Sequence, residues 1–107
     1  MAYFSKEMER LAKAGFPREQ YDLARCYESG LGIKLNEKAA VKWYENAANG
    51  GHPGAKVRLA IDHLSRRDYR DTNLRRAYQY LTEARAAGYN AAEIDRLIST
   101  IPAEYRK

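Results

Sequence analysis

The chain has 107 residues, a net charge of +5 and a pI of about 9.4, with 45% hydrophobic and 31% charged residues. That length fits one domain able to bury a core, and the composition excludes a disordered chain. The longest apolar stretches fall well short of the roughly 20 residues that span a bilayer, and a single cysteine, Cys26, excludes an intrachain disulfide.

The opening Met-Ala-Tyr-Phe-Ser-Lys-Glu-Met-Glu-Arg has no basic start followed by an apolar run, so it reads as no signal peptide. Phe4, Met8, Leu11 and Ala12 recur at helical spacing and predict a first helix over 3–14, stopped by Gly15. Pro17 suits the first turn of a second helix, where its missing N–H is not needed. That helix runs to about Ser29, with Tyr21, Leu23, Ala24 and Tyr27 buried, and Gly30-Leu-Gly32 turns the chain. Asn36 is expected to cap a third helix by accepting a free backbone N–H. Its apolar stripe is Ala40, Trp43, Tyr44, Ala47 and Ala48, and Asn49-Gly-Gly51 closes it. The cycle restarts with a helix from Pro53 to about Arg66, and another follows from Asn73, expected as its N-cap, to about Ala87. A last helix covers about Ala91 to Thr100, and Pro102 ends it before the tail 102–107.

The restart is a repeat in the strict sense. Gly15-Phe16, Gly51-His52 and Gly88-Tyr89 are spaced 36 and then 37 apart. Leu23-Ala24 returns as Leu59-Ala60, and Ala40, Ala47 return as Ala77, Ala84. Fixed-period similarity of this length marks a stacked repeat fold. No segment alternates with the period of a strand, so the expected class is all-α, a short α-solenoid of antiparallel helix pairs with about five helices. Alanine at the repeated positions lets helix axes approach closely, and Trp43, Tyr44, Tyr80 and Leu81 fill the gaps between pairs.

Leu23-Ala-x-x-Tyr-x-x-Gly-x-Gly-Ile33, then Lys38-Ala-Ala-Val-Lys-Trp-Tyr-Glu-Asn-Ala-Ala48 and Gly51-His52, closely resembles a Sel1-like repeat, a relative of the tetratricopeptide repeat. Residues 17–52 form one unit and 53–89 a degenerate second. Residues 3–16 are a half unit, and 90–101 a terminal capping helix. The second unit departs from the pattern. It lacks the Gly-x-Gly turn, holding Arg66-Arg-Asp-Tyr-Arg-Asp-Thr-Asn73 instead, and it has His63 where the first has Tyr27. The paired cysteines of some secreted members are absent, which favours the cytoplasm.

The resemblance implies a non-catalytic protein–protein interaction module, an adaptor or an inhibitor-type blocker, of the kind found in bacterial signalling, envelope or host-interaction settings. It implies no cofactor and a concave face lined by the first helix of each pair. By that register the partner-binding positions are Arg18, Tyr21, Arg25 and Glu28 in the first unit. In the second, Gly54, Val57, Ile61 and Leu64 follow, with Val57, Ile61 and Leu64 as an apolar anchor. Coverage of Ile61 and Leu64 by the helix from Ala91, as ordinary core, fits the same spacing.

The segment Arg66, Arg67, Tyr69, Arg70, Arg75, Arg76 offers a second reading, contact with nucleic acid or an acidic partner, since arginine forks match phosphate and tyrosine stacks on bases. A solvated loop with local Arg–Asp pairs is the plain alternative. A structural homodimer is a third reading. His52 and His63 lack the spacing and companions of a metal set, and Gly30-Leu-Gly32 joins two helices, so neither a metal nor a dinucleotide site is expected.

Overall fold

The computed structural model describes residues 3–65 and 71–106, with Asp71 and Thr72 described for their backbone alone. The regular elements of the described residues are all helices, and adjacent helices pack in pairs, consistent with a short solenoid. Among the described residues there are six α-helices, against an expectation of about five: α1 Lys6–Lys13, α2 Pro17–Ser29, α3 Glu37–Asn49, α4 Pro53–Ser65, α5 Asp71–Ala86 and α6 Ala91–Ser99, followed by a 3₁₀ turn, Ala103–Tyr105. The chain falls into two compact units, Met1–Ala55 and Lys56–Lys107.

Helix ends follow local chemistry. Ser5 starts α1 later than its apolar pattern suggests, because its hydroxyl accepts the N–H of Met8 and caps the first turn. Pro17 occupies the first turn of α2, and Asn36 caps α3 by accepting the N–H of Ala39 at 3.1 Å. Asn73 does not repeat this role. It lies inside α5, which already begins at Asp71.

The 36- and 37-residue spacing appears as a thrice-repeated helix end. The N–H of Gly15 reaches the carbonyl of Ala12, and that of Phe16 the carbonyl of Leu11. Gly51 and His52 make the same pair of bonds to Ala48 and Ala47, as do Gly88 and Tyr89 to Arg85 and Ala84. The three glycines have φ of 101°, 94° and 81°, a region that side chains disfavour.

In the first unit, α2 packs against both α1 and α3. Its core holds Ala12, Leu23, Ala24, Cys26, Ala40, Tyr44, Ala47 and Ala48. Gln20 is the buried polar residue, and its side-chain amide donates to the Ala12 carbonyl at 3.0 Å, tying α2 to the end of α1. Residues before α1 are tied in as well, since the N–H of Phe4 donates to the carbonyl of Leu31 in the turn after α2. Tyr44 is buried, and its hydroxyl donates to the Glu28 carboxylate.

The second unit is held by a more apolar cluster of Val57, Ala60, Ala77, Leu81, Ala84, Ile94 and Ile101. Lys56 of α4 pairs with Glu83 of α5 at 3.5 Å. Arg85 of α5 meets Asp95 of α6 through two parallel hydrogen bonds of 2.7 and 3.2 Å. The six repeated alanines, Ala24, Ala40, Ala47, Ala60, Ala77 and Ala84, are all buried, as the close approach of helices demands. Trp43 and Tyr80 are only half-buried, so Tyr44 and Leu81 fill the interior.

Candidate functional site

Arg18, Tyr21, Arg25 and Glu28 recur at three- and four-residue steps on α2 and so share one face. Arg18 and Arg25 are exposed, and Tyr21 and Glu28 are half-buried. The Arg25 guanidinium lies 5.9 Å from the centre of the Tyr21 ring, a cation–π distance. Tyr21 also meets Tyr44 edge-on, with ring centres 5.6 Å apart. The tyrosine is thus fixed from below while its arginine neighbour faces solvent. Glu28, holding the Tyr44 hydroxyl, ties that end of the row to α3.

One group in this neighbourhood escapes sequence reasoning: His52, which enters the sequence pattern only through the repeated Gly51-His52 pair. Its ring stacks on Tyr21 at 4.3 Å between centres and 14° between planes. His52 immediately precedes α4, and its Nδ1 accepts the N–H of Ala55 at 3.2 Å, the bond that a capping side chain makes. Burial holds its pKa below the ordinary histidine value, with Asp22 pulling weakly the other way. Gly54 makes room for this arrangement, since a Cβ there would press on the His52 ring at 2.9 Å and on Tyr21 at 3.3 Å. The sequence signal was present in Gly51-His52-Pro53, a residue placed just before a proline-started helix, but histidine is not a usual cap. The Tyr21 contact is not local.

In the second unit Val57 lies in the core at 5% exposure, and Ile61 and Leu64 are half-buried and packed against it. Leu64 also lines a cavity of about 320 Å³ with Leu74, Thr100, Pro102 and Tyr105. Gly54 is buried. Of the basic segment, Arg66, Arg67, Tyr69 and Arg70 lie outside the described residues. Arg75 and Arg76 are exposed on α5, with the Arg75 guanidinium 5.4 Å over the Tyr105 ring.

Cys26 is buried beside Met8, sulfur to sulfur 3.9 Å. Burial first, and Asp22 second, push its thiol pKa up, so thiolate chemistry is disfavoured. Among the described residues, no group of three His, Cys, Asp or Glu side chains comes together as a metal set, and no helix is long and apolar enough to cross a membrane.

Comparisons with known proteins bear on the repeat itself. The family model for the Sel1 repeat matches residues 20–52 and again 53–89. The chain is similar to chitin synthase regulator SKT5 of Saccharomyces cerevisiae, 42% identical over 59 residues. That stretch covers 55% of this chain and 8% of the yeast protein, so the chain spans a small fraction of its relative's length. No solved structure matches the chain.

Proposed function

The chain belongs to the Sel1 repeat family, whose repeats generally mediate protein–protein contacts and are typically non-catalytic, and on that premise we propose that it is an adaptor or inhibitor-type blocker. In this reading it holds a partner protein through the first-helix faces of its repeats. Arg18, Tyr21 and Arg25 of α2 supply polar contacts, with Glu28 anchoring the row. Ile61 and Leu64 of α4 supply apolar contacts over Val57. The observation that carries the reading is the α2 row, where a half-buried tyrosine, stacked and fixed by its neighbours, presents an exposed arginine on its ring. Pre-ordered aromatic and arginine groups of this kind make strong contact residues because little freedom is lost on binding. The yeast relative is a chitin synthase regulator, which supports a role exerted on another protein. A cytoplasmic setting belongs to the same reading, supported by the lone cysteine.

The test is capture from host lysate, with nuclease and with low- and high-salt washes, using the wild-type chain and two double variants. One is Arg18→Glu with Arg25→Glu, and the other is Ile61→Glu with Leu64→Glu; circular dichroism checks that each stays helical. The expected result is one protein retained through nuclease and salt by the wild type and lost by the helical variants. Capture that persists in both helical variants overturns the assignment of these faces. Capture that nuclease abolishes points to nucleic acid, whose binding falls with salt at a log–log slope of about −0.7 to −0.9 per phosphate contact. Should the Ile61/Leu64 variant unfold, the arginine variant decides, since both its positions are exposed. Light scattering at twice the chain mass would point to the homodimer.

A further inference from the structure

We propose that His52 is a pH-sensitive cap on α4, closing the helix start when neutral and releasing it when protonated. Three features of the geometry meet at this ring. Its Nδ1 accepts the Ala55 N–H at 3.2 Å, and a nitrogen that accepts a hydrogen bond carries no proton. The ring stands at the N-terminal end of a 13-residue helix, where the backbone dipole opposes positive charge. Its face lies on Tyr21, and the small Gly54 allows both rings to sit close to the backbone. Protonating Nδ1 turns the acceptor into a donor facing a donor, so the bond to Ala55 is lost and the cation is left at the positive end of the helix.

Among the described residues, the charged and titratable groups nearest the ring come from α2 and α3. Tyr21 and Asp22 belong to α2, and Asp22 is the group that favours the imidazolium. Arg25 of α2 and Tyr44 of α3 lie against Tyr21, the ring's stacking partner. Burial outweighs Asp22 and keeps the folded pKa below the ordinary histidine value. The cap is therefore closed at neutral pH and opens as the pH falls through that lowered value.

The experiment is an NMR titration of the full chain from pH 8 to pH 5, following the His52 ring together with the Ala55 amide shift and its exchange rate. The expected result is that ring and amide titrate with one midpoint, below that of an ordinary histidine. Ala55 protection should fall about fivefold across the transition, the size expected for losing one cap. His52→Asn supplies a capping acceptor that does not titrate, so it should keep the Ala55 amide protected and remove the pH dependence. His63→Gln should leave the transition in place. An Ala55 amide that does not move while His52 titrates overturns the proposal. So does a midpoint at or above the ordinary histidine value, or loss of the transition in His63→Gln. If His52→Asn fails to fold, the wild-type ring and amide midpoints decide by coinciding or not.

Discussion

At the register position that Tyr44 fills in the first unit, the second holds Leu81, and both side chains are buried. Around them the alanines match pair by pair: Ala40 with Ala77, Ala47 with Ala84, Ala24 with Ala60. The register of small residues is thus kept while the chemistry between them changes. The first unit closes its interior with a hydroxyl–carboxylate bond, Tyr44 to Glu28, and a stack of Tyr21 on His52. The second closes with Leu81, Ile94 and Ile101, all fully buried. The difference reaches the surface as well. Arg25 and Glu28 in the first unit stand where the second has Ile61 and Leu64. Helix approach distance is fixed by the small residues, which leaves the large ones free to differ between copies.

Substitutions can break this comparison in graded steps. Leu81→Ala should cost the most, about 2–5 kcal/mol in urea denaturation, because it leaves a cavity in the apolar cluster. Tyr44→Phe keeps the ring and removes the bond to Glu28, so about 1.5–3 kcal/mol is expected, the value of a hydrogen bond to a charged group. A Tyr44→Phe loss near zero would mean that the Tyr44–Glu28 bond adds little to the packing of the first unit. Gly51→Ala forces a side chain to φ near 94° and should cost about 1–2 kcal/mol. Gly15→Ala and Gly88→Ala should cost similar amounts if the three helix ends are equivalent. The exposed Arg85–Asp95 pair should matter least, and Arg85→Ala should leave the denaturation midpoint close to that of the wild type.

The pH dependence sharpens the comparison too. The folded pKa of His52 lies below its unfolded value, so its contribution to stability is complete above the ordinary histidine range and is lost as the pH falls through the lowered folded value. At the equivalent place 37 residues on stands Tyr89. Denaturation of the wild type and of His52→Asn at pH 7.5 and pH 5.5 should show a larger loss for the wild type.

The parts of this structure that sequence alone made legible are those with local causes. Gly15, Gly51 and Gly88 end helices through their own backbone freedom, Pro17 and Asn36 begin them, and the alanine spacing declares which faces meet. Asn73 misled because capping competence is common and the flanking residues decide where a helix starts. The start of α1 at Ser5 was hidden because Phe4 continues the apolar pattern outward, while the Ser5 cap is a single side-chain bond. His52 was hidden for a different reason. Its role depends on Tyr21, 31 residues earlier, and no pattern of neighbours encodes a contact at that separation. The same holds for Tyr44 and Glu28, whose residue types fit a helix surface as well as a buried bond. Of the candidate interaction residues, the α2 row was legible as a face from its spacing. The fixing of Tyr21 by three neighbours was not.

The thrice-repeated helix end has a consequence for how the chain can change length. At Gly15-Phe16, Gly51-His52 and Gly88-Tyr89 the backbone N–H groups of the pair all donate backwards, to residues three to five earlier. A cut just after any of these pairs therefore keeps those backward bonds, although after Phe16 it parts Gln20 from the Ala12 carbonyl and after His52 it parts the Ala55 N–H from its cap. A block of 36 or 37 residues taken between two of them carries its own ending with it. Duplication or deletion of a whole block at such a pair joins one finished end to one fresh start, so the backward closing bonds survive and the bonds that start the next helix are the ones to be remade.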